Sequence, residues 1–245
     1  MFSILGFSIL QFLLIFPHFI LADTFFGFCT ALTAHLLGDK TIKEKGYLSL
    51  NPSKYQNVGN IALFLGVIIL TMNTFNNGVI TAIVFLGLMS YGLNRIKNIP
   101  LTPNHFKHPT LYTALALFAG PVGAVLYSFL ILLYMQAVPF VDSPTTFAGK
   151  LQSLLWLFMS QGSTLGIFIG VISLIPLLPQ TGGRITLLLI PDEYEEAKDF
   201  YITYGSMLFL ILIILPRGHG SFSNTLSTIT NGIKIMLQAL AAKII

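Results

Sequence analysis

The stretch TLYTALALFAGPVGAVLYSFLILLYMQ, residues 110–136, contains no charged side chain. As a helix it would be about 40 Å long, which is enough to cross the hydrocarbon core of a bilayer, about 30 Å thick. The whole chain is of the same kind: it is 54% hydrophobic and 9% charged, and its mean hydropathy is +0.80. Soluble domains carry about 25% charged residues. The composition therefore predicts an integral membrane protein of the all-α class.

Further apolar segments lie on both sides of this stretch, at 2–22, 25–37, 58–72, 78–93, 151–178 and 200–216. Because a span needs about 20 residues, they predict a polytopic transmembrane helix bundle of about six to seven apolar segments over residues 1–221. Residues 222–245 differ. Apolar side chains recur there at three- and four-residue steps, which predicts an amphipathic C-terminal helix at the membrane interface or capping the bundle; they are Phe222, Leu226, Ile229, Ile233, Met236 and Leu240.

The basic residues cluster in short loops between these segments. Loop 38–57 carries four lysines, and loop 94–109 carries Arg95, Lys97 and Lys107. Cytoplasmic loops are enriched in Lys and Arg, so 38–57, 94–109, 179–199 and the N-terminus are expected on the cytoplasmic side. The formal net charge of +4 is thus interpreted as a topology signal, and no nucleic-acid partner is predicted.

The residues that carry membrane proteolysis are not found in their usual patterns. A zinc protease needs H-E-x-x-H, and none of the five histidines (18, 35, 105, 108 and 219) lies in that motif. The pair His105 and His108 lies in a proline-bounded stretch and is interpreted as a polar interfacial loop. No Asp or Glu falls inside a predicted span, which argues against a paired-aspartate protease and against a proton-driven transporter.

One apolar segment carries a small-residue pattern. Gly162, Gly166 and Gly170 form two successive G-x-x-x-G steps on one helix face. Such steps let another helix approach closely, so these glycines are predicted to pack against a neighbouring span. The single cysteine, Cys29, is expected to be a small core residue.

Four stretches, read in order, resemble the compact bacterial branch of the site-2 protease family, which are intramembrane zinc metalloproteases. They are HLLGDKTIKEKGYLSLNP at 35–52, YGLNRIKNIPLTPN at 91–104, AGP at 119–121 and IPLLPQTGGRI at 175–185. The run from Ile190-Pro191 through Tyr204-Gly205 also resembles the sequences of this family. The resemblance covers about residues 25–216.

The resemblance implies where the family's metal site would fall. Its register places the H-E-x-x-H positions on Phe26, Gly27 and Thr30, and the third ligand, an Asp, on Thr181. Phe and Gly offer zinc no ligand atom, and Thr is a poor one. The resemblance therefore leads us to expect a catalytically degenerate member, with no metal or cofactor and no enzyme activity.

Three hypotheses follow from this expectation. The first is a structural subunit or scaffold of a membrane protein complex. The second is a protein that binds and regulates transmembrane substrates, and the third is an active enzyme with a rearranged site that uses His35, Cys29 and Thr30. The expected partners are other integral membrane proteins and the lipid bilayer, in a bacterial inner membrane or an organellar inner membrane.

Overall fold

The computed structural model describes residues 2–56, 99–138, 146–214 and 222–245. These residues form helices without any strand, which confirms the all-α prediction. The helices are α1 (Phe2–Leu36), α2 (Thr41–Glu44), α3 (Pro109–Ala137), α4 (Phe147–Ser173), α5 (Thr181–Leu189), α6 (Glu195–Ile214) and α7 (Phe222–Ile244), with short 3₁₀ turns at Pro52–Lys54 and Pro103–His105. The predicted segments 58–72 and 78–93 lie outside the described residues.

Within the described ranges, three helical stretches are long and apolar enough to cross a membrane. They are Leu14–Leu36 of α1, the whole of α3 and the whole of α4. Membrane helices are therefore present, as the composition predicts. The finer prediction of six to seven spans is not confirmed by these three.

The predicted break between the first two apolar segments is wrong, because α1 runs through it from Phe2 to Leu36. The two polar side chains at this point, Asp23 and Thr24, do not interrupt the helix because both are hydrogen-bonded. Thr24 Oγ1 donates to the carbonyl of Ile20 at 2.7 Å, and Gln56 Nε2 donates to Asp23 Oδ2 at 2.8 Å. As one helix, α1 places its N-terminal end opposite to loop 38–56, and not on the same side as predicted.

The core is built from α1, α3 and α4. The ideal Cβ of Gly123 on α3 would lie 2.8 Å from Cys29 Sγ on α1, while Tyr127 contacts Phe25 and His18 further along α1. The two helices therefore run antiparallel. Helix α4 is antiparallel to α3 in turn, since Gly166 lies beside Ala124 and Gly170 beside Pro121.

The glycines of α4 lie where this close approach requires them. A Cβ on Gly162 would overlap the His18 ring, and one on Gly166 would overlap Ser128 and approach the Ala124 carbonyl oxygen to 2.8 Å. A Cβ on Gly170 would stand 3.0 Å from the Pro121 carbonyl oxygen. All three glycines are buried, so one face of α4 lies directly against α1 and α3.

Helix α7 does not lie across the end of the bundle. Its first turns pack beside Phe168 and Ile172, near the end of α4, through Phe222 and Leu226. Further along α7, Lys234 reaches Thr164. Helix α7 therefore runs antiparallel along α4, in contrast to the predicted capping position.

The face of α7 that packs also differs from the predicted apolar face. Leu226, Thr230 and Ala241 are buried, whereas Ile229, Met236 and Leu240 of the predicted face are exposed. A polar residue, Thr230, can point inward because its hydroxyl donates to the Leu226 carbonyl at 2.8 Å. The apolar stripe is thus only partly used for packing within the described residues.

Candidate functional site

The positions that the resemblance marks on α1 lie at its contact with α3. Phe26 and Thr30 both lie against Gly120, where an added Cβ would stand 2.7 Å from Thr30 Oγ1 and from Cζ of Phe26. Real Cβ atoms do not approach that closely. The Thr30 hydroxyl donates to the Phe26 carbonyl of its own helix at 3.1 Å. These two side chains therefore serve a tight helix–helix contact.

Gly27, the position marked for the general base, lies under the ring of Tyr55. An ideal Cβ on Gly27 would stand 2.7 Å from Cε1 of Tyr55 and still closer to its Cδ1. The Tyr55 hydroxyl donates to the carbonyls of Tyr47 and, at 3.0 Å, Ser49. Burial raises the pKa of Tyr55 to about 12, so the hydroxyl stays protonated and remains a donor at neutral pH.

Thr181, the fourth marked position, is buried in the first turn of α5. The two glycines after it let this turn approach the preceding loop, because a Cβ on Gly182 or Gly183 would overlap backbone atoms of Leu174 or Leu177. Helix α5 packs on α3, which also contacts α1. The structure thus brings Phe26 and Thr30 together at Gly120. Gly27 lies on an adjacent face of α1. Thr181 lies on α5, a different helix, which also packs against α3.

The side chains at these positions do not fit a zinc ion. Phe26 and Gly27 have no ligand atom, and the Thr30 hydroxyl is hydrogen-bonded within its helix. Zinc in proteins is held by Cys, His, Asp or Glu. Within residues 2–56, 99–138, 146–214 and 222–245, no group of three or more such side chains is placed to hold a metal.

The two neighbouring loop histidines have separate partners. His105 Nδ1 lies 3.5 Å from Asp39 Oδ1, whereas the His108 ring stands edge-on to Tyr112, with the ring centroids 5.6 Å apart. The interpretation of this stretch as a polar loop is consistent with that geometry.

Asp39 joins two loops at one end of the bundle. Its side chain is fully buried, and it accepts hydrogen bonds from Thr41 N at 3.1 Å, Thr41 Oγ1 at 2.6 Å and Thr102 N at 2.8 Å. Burial by itself raises the pKa of Asp39, but the hydrogen bonds from Thr41, Thr102 and His105 outweigh it and hold the pKa below its usual value. The loops 38–56 and 99–108, both basic, therefore meet at the same end.

One polar pair in the core was missed by the sequence reasoning. His18 is buried, its Nδ1 is hydrogen-bonded to the Tyr127 hydroxyl at 2.5 Å, and its ring centroid lies 3.9 Å from that of Phe158. Its Nε2 has no hydrogen-bond partner in the described part of the chain. The signal was an ionisable residue inside an apolar run, but its partner, Tyr127, is more than a hundred residues away in sequence.

The fold defines a helical protein with three candidate membrane spans among the described residues, and comparison with known proteins adds one similarity. The chain is 27% identical over 190 residues to a Bacillus subtilis (strain 168) protein named "Putative zinc metalloprotease YwhC", covering 77% of this chain and 74% of the relative. This similarity supports a site-2-protease-like relationship at the family level. No family model and no solved structure matches the chain.

The relative corrects one expectation. The chain was predicted not to be an enzyme, and this prediction is contradicted because the relative is named as a zinc metalloprotease, which points to a protease. The expectation rested on the lack of an H-E-x-x-H motif and on four positions transferred by register, whereas the similarity to the relative extends over 190 residues.

Proposed function

We propose that this chain binds the transmembrane segments of other membrane proteins. The proposal rests on how deep in the bilayer two positions of α1 would lie. They are positions that the family resemblance assigns to the metal site. Phe26 and Thr30 lie ten and six residues before Leu36, the end of a candidate span, or about 15 Å and about 9 Å along a helix. A client can reach this depth only with a segment that is itself inside the bilayer.

Membrane assembly is the first role that fits such binding. Spans associate through close packing at small residues and through hydrogen bonds between helices. Gly162, Gly166 and Gly170 on α4 are already packed against α1 and α3, whereas α7 presents polar side chains such as the exposed Asn231 for hydrogen bonds to another span. A scaffold or subunit of a membrane protein complex is therefore the form of client binding that we propose.

Hydrolysis of the bound client is a second candidate function, and it is favoured by the named relative. Since the side chains at the four marked positions do not fit zinc, we derive no catalytic step there. A proteolytic role would require ligands from elsewhere in the chain, and metal analysis of the purified protein tests this directly.

The experiment is photo-crosslinking in native membranes with a benzoylphenylalanine residue at Phe118, an exposed position at membrane depth on α3. The matched control places the same residue at Tyr194, an exposed loop position. We expect adducts with membrane-spanning proteins from position 118 and none of them from position 194. Identical adducts from both positions, or none from position 118, would contradict client binding.

The crosslinked client then tests hydrolysis. The client and the full-length chain are reconstituted together, and the client is analysed by mass spectrometry. Cleavage inside its transmembrane segment that stops on adding a metal chelator supports the protease. An intact client that remains bound supports the scaffold.

A further inference from the structure

Helix α7 carries a lysine at membrane depth. Lys234 Nζ donates to Thr164 Oγ1 at 2.8 Å and lies 3.4 Å from the Ser160 carbonyl oxygen and 3.5 Å from Ser160 Oγ. Residue 160 is the midpoint of α4, a candidate span of 27 residues. The ammonium group is therefore about half-way along a helix that is long enough to cross the bilayer.

The lysine has neutral acceptors only. The described residues form two ion pairs between side chains, His105 with Asp39 and Lys198 with Asp192, and Lys234 is in neither. Thr164 Oγ1 uses its hydrogen to donate to the Ser160 carbonyl at 3.0 Å, so it meets the lysine as an acceptor. A charged group at the bilayer centre is costly and is usually paired, and among the described residues no carboxylate is paired with Lys234.

Two polar side chains lie beside Lys234 on α7 and form a polar seam with it. Asn231 and Gln238 lie three residues before and four residues after Lys234, so the three side chains share one edge of α7. Asn231 is exposed and Gln238 is half-buried. Asn and Gln side chains hydrogen-bond across transmembrane helices, so an edge of this composition suits another helix better than it suits lipid.

We propose that this seam, formed by Asn231, Lys234 and Gln238 on α7 with Ser160 and Thr164 on α4, docks a transmembrane helix that carries an Asp or Glu side chain at mid-membrane depth. Charge complementarity selects this occupant, because a carboxylate supplies the negative charge that no described residue places beside Lys234. Ile235, the next residue along the helix and exposed, lies about 100° around α7 from Lys234 and gives the partner helix an apolar contact on the flank of the seam. The inference rests on the proposed function in that the client is a membrane protein, and it adds the chemistry by which the client is chosen.

The test uses the full-length chain in phosphatidylcholine vesicles, with fluorescently labelled leucine-rich transmembrane peptides as the probe. One peptide has a single central Asp, and its matched partner has Asn there. We expect the Asp peptide to bind about tenfold more tightly, which corresponds to about 1.4 kcal/mol and is within the range of polar contacts between spans. Lys234→Met should abolish this preference and Lys234→Arg should keep it. Lys243→Met, at the exposed end of the same helix, should leave it unchanged.

Three results would overturn the inference. Equal binding of the two peptides to the wild-type chain would remove the role of the carboxylate while leaving client binding intact. A preference that survives Lys234→Met would place the site elsewhere. Loss of the preference when anionic lipid is added would make Lys234 a lipid site. If neither peptide binds at all, client binding itself fails, so the two failures are distinguishable. Should Lys234→Met not fold, Lys234→Glu with a Lys-bearing peptide tests the same pairing by charge reversal.

Discussion

At the scale of single residues, Asp39 holds two distant parts of the chain together. It is buried, accepts two hydrogen bonds from Thr41 and one from the backbone of Thr102, and lies 3.5 Å from His105 Nδ1. Hydrogen bonds to a charged group are worth about 1.5–3 kcal/mol each when one partner is lost. We expect Asp39→Ala to lower the free energy of unfolding by about 3 kcal/mol, measured by thermal unfolding in detergent.

Asp192→Ala is the control for this prediction. Its carboxylate is fully exposed, so no measurable change in stability is expected. An equal loss in both variants would contradict the role given to Asp39.

The same carboxylate predicts a pH dependence. The folded-state pKa of Asp39 is lowered, and the unfolded-state pKa of Asp is about 3.9. A group of this kind contributes stability that is fully present above the unfolded pKa and is lost as pH falls through the folded pKa. The advantage of the wild-type chain over Asp39→Asn should therefore shrink as the pH falls below about 4. Melting curves of both proteins between neutral and acidic pH measure this, and a difference that is independent of pH would count against it.

Gly27 and Tyr55 form a second contact that one residue can disturb. An added methyl at Gly27 would overlap the Tyr55 ring, which is fixed by hydrogen bonds to Tyr47 and Ser49. Overpacking of this kind costs about 1–3 kcal/mol, so Gly27→Ala should destabilise by that amount. In the Tyr55→Ala background the cost should largely disappear, as a double-mutant cycle would show. Gly232→Ala is the matched control, because no atom of the described residues lies within 4 Å of a Cβ there, and it should be neutral or slightly stabilising.

At the scale of elements, the glycine face of α4 sets how closely three helices approach. A Cβ on Gly162 or Gly166 would overlap a neighbouring side chain, His18 or Ser128, most severely, whereas one on Gly170 would lie 2.8 Å from Val125 Cγ2 and 3.0 Å from the Pro121 carbonyl oxygen. We therefore expect Gly162→Ala and Gly166→Ala to lower the melting temperature more than Gly170→Ala. For Gly162→Ala, His18→Ala should restore part of the loss because it removes the overlapping ring. Equal effects at all three positions would contradict this order.

Comparison of the predicted and observed helices shows which sequence signals were sufficient to predict the fold. Long apolar runs predicted α3 and α4 closely, because a span needs a length and a composition that few other structures share. The break predicted at Asp23 and Thr24 was wrong, since a hydrogen bond within the helix and another from Gln56 satisfy both side chains. For α7, periodicity predicted the helix but not its packed face. That face depends on Lys234 reaching Thr164, a contact between residues 70 apart that no local pattern contains.

At the scale of the whole molecule, the candidate site was predictable only as a set of positions. The motif register marked Phe26, Gly27, Thr30 and Thr181, but it did not indicate that Tyr55 covers Gly27 or that Gly120 lies against Phe26 and Thr30. Such contacts arise from how loops and spans fold back on one another. The prediction that the chain is not an enzyme rested on those four positions and on the lack of an H-E-x-x-H motif, and the similarity to a named metalloprotease over 190 residues contradicts it.

The arrangement of the spans predicts which ends of the molecule face the same side of the membrane. Loops 38–56 and 99–108 meet through Asp39 and Thr102, and α4 ends toward the beginning of α3 because the two helices are antiparallel. Lys45 and Tyr194, both exposed, should therefore face one side, and Phe147, 84% exposed at the start of α4, should face the other. The lysine-rich loop assigns the first side to the cytoplasm. In a Cys29→Ser background, Lys45→Cys and Tyr194→Cys should react with a membrane-impermeant maleimide only from the cytoplasmic side, and Phe147→Cys only from outside. Labelling of all three from one side would mean that α3 and α4 do not both cross the bilayer.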